Sequence, residues 1–207
     1  VIFALVLGNA SPVQSVAITA TAVATAIGAA SQIISAGTSL ASTILSGLAA
    51  SGYRVTCAIQ VENWTRYPLI YATVQINRNA AVTVSPSSIL PGKREGFSVR
   101  MPNGLAEGVY GTVSWELLGI KRRFVLMWSA PFNFNHFSNW MGVGLTRPGI
   151  TKVPSGMTWF NKMYYDKTGR VGNLHFERGE FYYETNPVIY RDSKFEIEGT
   201  MTNIHNA

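Results

Sequence analysis

Charge is missing from the first quarter of this chain: no Asp, Glu, Lys or Arg precedes Arg54 in a sequence of 207 residues. Helix exteriors of soluble proteins normally carry Lys and Glu, so this stretch is not built as an ordinary surface. Cysteine is nearly absent too. The single Cys57 excludes an intramolecular disulfide, and His136, His175 and His205 stand apart from one another. No Cys/His cluster has the spacing of a metal site, and neither a Gly-rich phosphate loop nor a nucleophile elbow occurs. Nothing therefore calls for a metal, a cofactor or a catalytic residue.

What charge there is lies in the remaining three quarters, with 17 Lys+Arg against 11 Asp+Glu and a formal net charge of +6. A basic excess favours anionic surfaces, and nucleic acid or membrane headgroups would both qualify on charge alone. The length suits one domain with its own core plus an extension. Three regions follow from the composition: residues 1–14, 15–53 and 54–207.

The first region holds an apolar run, Ile2 to Leu7, followed by Gly8-Asn9-Ala10, and reads as the tail of a secretory signal. In the second, Val16 to Ile27 alternates Ala, Thr, Val and Ile, a pattern that leaves helix and strand both open. From Ser31 to Ala50 the pattern is helical. Ile33, Ile34, Leu40, Ile44, Leu45 and Leu48 share one face, while Ser31, Ser35, Thr38, Ser39, Ser42, Thr43 and Ser46 fill the other. A polar face made of hydroxyls suits water, and it also suits lipid, because Ser and Thr return hydrogen bonds to the helix backbone. Charged residues would be costly at the bilayer centre. The segment is expected to dock in solution and to insert later as a pore helix.

Beyond Tyr53 short β runs take over: 54–62, 69–76, 95–101, 109–118, 123–131, 141–146, 171–177, 181–185 and 194–203. Turn signals such as Leu90-Pro91-Gly92, Pro102-Asn103-Gly104 and Arg178-Gly179 separate them. Many short strands at this spacing predict a mainly β protein with an antiparallel sandwich. Val55, Cys57, Ile59 and Val61 would share a buried face. A helix is expected over 155–165, capped by Ser155. Asn63-Trp64-Thr65 is a formal glycosylation sequon.

Aromatic residues crowd into two short segments. Phe132, Phe134, Phe137 and Trp140 are mixed with Asn at no clean period, which points to a loop that displays its rings; Trp159, Phe160, Tyr164 and Tyr165 follow later. Amphipathic rings beside basic residues suit a membrane interface. Such rings can also hold a choline ammonium by cation–π attraction, about 0.5–2 kcal/mol per good contact.

The segment from Ser129 to Trp140 resembles the Ser-x-Pro-Tyr-Asp-Tyr-Asn-Trp-Tyr-Ser-Asn-Trp-Trp segment of sea-anemone actinoporins. Trp159 to Asp166 is similar to the helix of that family that contains Met-Tyr-Glu-Glu-Leu-Tyr-Tyr-Asn, and Val61-Glu62-Asn63 to an early Val-Asp-Asn. The similarity runs from about Thr38 to Asn203. It implies a secreted, pore-forming cytolysin: a β-sandwich flanked by two helices that binds phosphocholine lipid, sphingomyelin included. It further implies a monomer in solution and a homo-oligomer on the membrane, with the N-terminal helix lining the pore and no nucleic-acid partner. Fungal lectins share this sandwich, and a lectin-like module without pore formation is the alternative; the long uncharged N-terminal segment speaks against it.

Carried over position by position, the resemblance places Ser129, Pro131, Phe137, Phe160, Tyr164 and Tyr165 in the headgroup pocket. Phe134, His136, Trp140, Met141 and Trp159 would lie at the membrane interface. Two further pocket positions, around Asn77 and Gly111–Val113, stay unplaced. Phe137 and Phe160 stand where the family has tyrosines, and His136 and Met141 where it has tryptophans. The family's Arg-Gly-Asp is absent, with Thr168-Gly169-Arg170 nearby. These departures bear on lipid selectivity rather than on pore formation.

Overall fold

The structure, a computed structural model, describes residues 32–33, 55–181, 188–192 and 195–205. Twelve strands occur among them: β1 (Gln32–Ile33), β2 (Val55–Asn63), β3 (Leu69–Ile76), β4 (Ala81–Val84), β5 (Lys93–Arg100) and β6 (Val109–Leu117). β7 (Arg122–Ala130), β8 (Asn139–Thr146), β9 (Arg170–Val171), β10 (Leu174–Phe181), β11 (Val188–Asp192) and β12 (Phe195–His205) complete the set. One helix, α1 (Thr158–Tyr165), lies between β8 and β9. The strands form two antiparallel sheets. One has the order β1-β5-β2-β12-β11, with β4 also paired to β5, and the other β3-β6-β7-β8-β10-β9.

The core lies between the sheets and follows from strict alternation along the central strands. Val55, Cys57, Ile59 and Val61 of β2 are all fully buried, as their period of two predicts. They meet Phe97 and Val99 of β5, Trp115 of β6, and Phe124, Leu126 and Trp128 of β7. Phe97 sits edge-on to both tryptophans, with centroids 6.3 Å from Trp115 and 5.5 Å from Trp128. Burial pushes the Cys57 thiol well above its ordinary value, which leaves it a small buried hydrophobe.

Strand β7 is buried on both faces because α1 covers its outer side. Val125 and Met127 point outward and pack with Trp159, Phe160 and Met163 of α1 and with Leu174 and Phe176 of β10. An isolated helix of eight residues would not persist in water. This second apolar layer supplies what its length does not.

Several expectations are corrected here. Arg178-Gly179 is not a turn but the middle of β10, paired to Gly142 and Met141, so the runs expected at 171–177 and 181–185 merge over Leu174–Phe181. Ser155 does not cap α1. The cap position is Met157, without a side-chain hydrogen bond, and the Ser155 carbonyl accepts from Thr158 Oγ1 at 2.7 Å. Ile33, expected on the pore helix, lies in β1 opposite Lys93. The other expected pore-helix residues, Ile34, Leu40, Ile44, Leu45 and Leu48, fall outside the described residues. Among the described residues, no helix is long and apolar enough to cross a membrane.

Asn63 of the sequon has an internal role. Its amide nitrogen donates to the carbonyls of Tyr67 at 2.8 Å and Ile89 at 2.9 Å. Its carbonyl oxygen accepts from the Thr65 amide and hydroxyl, and the residue is fully buried. A glycan on that nitrogen is incompatible with this fold.

Candidate functional site

An open cleft of about 400 Å³ lies where the start of β6, the end of β7, the loop after it and α1 converge. That volume falls within the range of small-ligand sites. Ser129, Pro131, Phe137, Phe160, Tyr164 and Tyr165, the residues singled out from sequence, all line it. The first three come from β7 and the following loop, the last three from α1.

The loop from 131 to 138 is held by its own asparagines. Asn133 Oδ1 accepts from the Asn135 amide at 2.9 Å, and the Asn133 carbonyl accepts from Phe137 N at 3.2 Å. This tight loop leaves the Phe137 ring 61% exposed, a position no core packing explains. The helix contributes differently. Its apolar side anchors Phe160 and Met163, and Tyr164 and Tyr165 are thereby carried to the cleft, the latter 72% exposed.

The rings form a continuous column. Tyr110 and Phe160 lie 4.8 Å apart, Phe160 and Tyr164 stack at 5.2 Å and 17°, and Tyr165 stands edge-on to Tyr164 at 5.0 Å. Trp140 extends it sideways, 6.1 Å from Tyr164. No charged side chain is among the lining residues; Asn133 and Asn161 add amides to the hydroxyls of Ser129 and the tyrosines. Aromatic faces with neutral hydrogen-bonding groups at the rim suit a small ammonium carrying a polar or anionic group. Burial, with smaller contributions from Tyr165 and Glu180, pushes the Tyr164 hydroxyl upward against the opposing pull of Arg178, so it stays a neutral donor.

Tyr110 was not among the expected site residues. It alternates outward on β6 directly opposite Ser129 of β7, a register that the sequence does not display. Asn77 holds it from behind: Asn77 Oδ1 accepts from Tyr110 N, and Asn77 Nδ2 donates to the Gly108 carbonyl, both at 3.1 Å. Gly108 must stay small, since a Cβ there would meet the Ala130 carbonyl oxygen at 2.5 Å.

The residues expected at the interface divide. His136 is exposed beside Phe137, with Phe134 and Trp140 half-buried. Met141 and Trp159 do not belong with them. Strand β8 begins at Asn139, so alternation turns Trp140 outward and Met141 into the sandwich core at 0% exposure. Trp159 is buried beneath α1 against β7. Among the described residues, no group of three or more His, Cys, Asp or Glu could hold a metal ion.

No family model matches the chain. It is 74% identical over 174 residues to Tereporin-Ca1 of Terebra anilis, a match covering 84% of this chain and 92% of that one. It is 44% identical over 209 residues to Conoporin-Cn1 of Conus consors, across 100% of this chain and 80% of the relative. Echotoxin-2 of Monoplex parthenopeus is 45% identical over 157 residues, covering 76% of this chain and 56% of that protein. With the sandwich, the flanking helix and the aromatic loop in place, these identities show that the chain belongs to the actinoporin-like pore-forming toxins.

Proposed function

We propose that this cytolysin attaches to membranes by taking a phosphocholine headgroup into the aromatic cleft, and that residues 15–53 then insert to line an oligomeric pore. The activity of the family is pore formation, not catalysis, and it entails a membrane and assembly of several copies.

One observation carries the headgroup reading: two separate aromatic segments converge on one uncharged cleft. The quaternary ammonium of choline is attracted to ring faces without needing a carboxylate. The phosphate would accept hydrogen bonds from Ser129 and the tyrosine hydroxyls, and the exposed Phe137 and Tyr165 would meet the surrounding lipid. Phosphatidylcholine and sphingomyelin share this headgroup, and the loss of hydroxyls at Phe137 and Phe160 weakens any preference resting on phosphate contacts.

For the pore, the support is composition and length. A helix of about 30 residues spans roughly 45 Å, more than a hydrocarbon core of about 30 Å. The pairing of Gln32 and Ile33 with β5 must open for a helix to run through that point.

Adding phosphocholine to the isotopically labelled protein tests the reading. Backbone resonances of Ser129, Tyr164 and Tyr165 should move, and those of Trp64 and Leu118 at the opposite end should not. A response to monosaccharides with none to phosphocholine would instead favour a carbohydrate site.

A further inference from the structure

Helix α1 ends without the usual means of ending. The residue after it, Asp166, is extended (φ −80°, ψ 129°), so no left-handed residue turns the chain back onto the last carbonyls. Asp166 N donates to the Lys162 carbonyl, which leaves the carbonyls of Met163, Tyr164 and Tyr165 without partners from the helix itself. Two of these three are taken by one side chain from another element. Arg178 of β10 donates through Nη1 to the Met163 carbonyl at 3.2 Å and to the Tyr164 carbonyl.

The same guanidinium lies over the Trp140 ring, 4.8 Å from its centroid, and Trp140 in turn stands edge-on to Tyr164. Arg178 therefore touches the backbone that carries Tyr164 and the ring that packs beside it. Room for this is provided across the sheet. Its register partner is Gly142, where a Cβ would meet Met163 Cε at 3.1 Å and Arg178 Cβ at 3.4 Å. A cation at a helix C-terminus is also favoured by the helix dipole.

We infer that Arg178 is the positioning residue of the headgroup cleft: it caps α1 and stacks on Trp140, so that Tyr164 and Trp140 are fixed before lipid arrives. This rests on the phosphocholine reading of the cleft. A ring column set in advance spares the ordering cost on binding. Lysine cannot replace this function, because an ammonium lacks the planar face that lies over the Trp140 ring while one of its nitrogens donates to both carbonyls.

The test uses the full chain with Arg178→Lys and Arg178→Gln, titrated with phosphatidylcholine vesicles and with choline-free phosphatidylglycerol vesicles. Arg178→Lys keeps the charge; it should weaken phosphatidylcholine binding about fivefold and leave phosphatidylglycerol binding unchanged, with a shifted tryptophan emission. Arg178→Gln should lose about tenfold or more on phosphatidylcholine. Wild-type affinity in both folded variants would overturn the inference. So would equal losses on both vesicle types in step with a lowered Tm, or failure of both variants to fold, since either makes Arg178 a residue of the fold alone. A wild-type protein indifferent to choline would instead remove the headgroup reading itself, a different result from an unaffected variant.

Discussion

Tyr110 of β6 and Phe160 of α1 pack ring against ring, 4.8 Å between centroids and tilted by 36°, and so join the sheet to the helix across the cleft floor. Phe160 is 6% exposed and belongs to the helix–sheet core, whereas Tyr110 is 37% exposed and held by Asn77. Tyr110→Ala should leave the fold in place, with Tm little changed, because most of Phe160 is buried by other neighbours. It should weaken binding to phosphatidylcholine vesicles about fivefold, the worth of about 1 kcal/mol of ring contact. Unchanged binding would take Tyr110 out of the site.

The elevated Tyr164 hydroxyl sets a pH dependence. Its folded value lies above the ordinary 10.0, chiefly because burial disfavours the phenolate. The neutral form is therefore favoured in the folded state. Its contribution to stability is complete below pH 10 and lost as pH rises through the higher folded value. Headgroup binding should stay flat around neutral pH, and alkaline phenolate titration should show a late component that Tyr164→Phe removes. A Tyr164 that titrates at or below its ordinary value would contradict the environment described.

Asn63 supplies a test of the fold. Asn63→Ala removes two donors to the Tyr67 and Ile89 carbonyls and the acceptor that ties down Thr65. The expected loss of stability is roughly 2–4 kcal/mol, read from denaturant unfolding. Material made in a secretory host and recovered folded and active should carry an unmodified Asn63 by mass spectrometry. An intact glycan at that position on active protein would mean that the loop from 63 to 67 folds otherwise.

The uncharged segment bears on the pore itself. Cation selectivity usually comes from rings of acidic side chains along the conducting path, and no acidic residue precedes Glu62. Channels in uncharged lipid should show only a weak cation preference by reversal potential in asymmetric salt. Strong selectivity would mean that another segment lines the pore.

Periodicity and turn chemistry made much of the sandwich legible. Leu69–Ile76 lies at its expected bounds, and the apolar core face of β2, Val55, Cys57, Ile59 and Val61, follows from its alternation, although its other face is buried too. What failed was local chemistry overruled by pairing. Arg178-Gly179 has the look of a turn, yet the ladder to β8 carries the strand straight through it. β4, four residues before Ser85-Pro86, and the five-residue β11 were too short to stand out. Met141 shows how one residue decides a face. With β8 starting at Asn139 rather than Met141, the two neighbours Trp140 and Met141 go to opposite sides. The aromatic site was legible as two segments, but Tyr110 and Arg178 enter it only through register and helix docking, which no linear pattern records.

Dye release from vesicles tests the central claim most directly, since it requires both headgroup recognition and a pore. Vesicles of phosphatidylcholine and choline-free vesicles rich in phosphatidylethanolamine, matched in zero net charge and size, are treated with the whole protein and with Tyr164→Ala. Tyr164 lines the cleft and stacks on Phe160, so its truncation removes the middle of the ring column. The wild type should empty the phosphatidylcholine vesicles and leave the choline-free ones largely full, with Tyr164→Ala about tenfold less effective on the former. Equal release from both kinds of vesicle, or full activity in Tyr164→Ala, would contradict recognition of phosphocholine in this cleft.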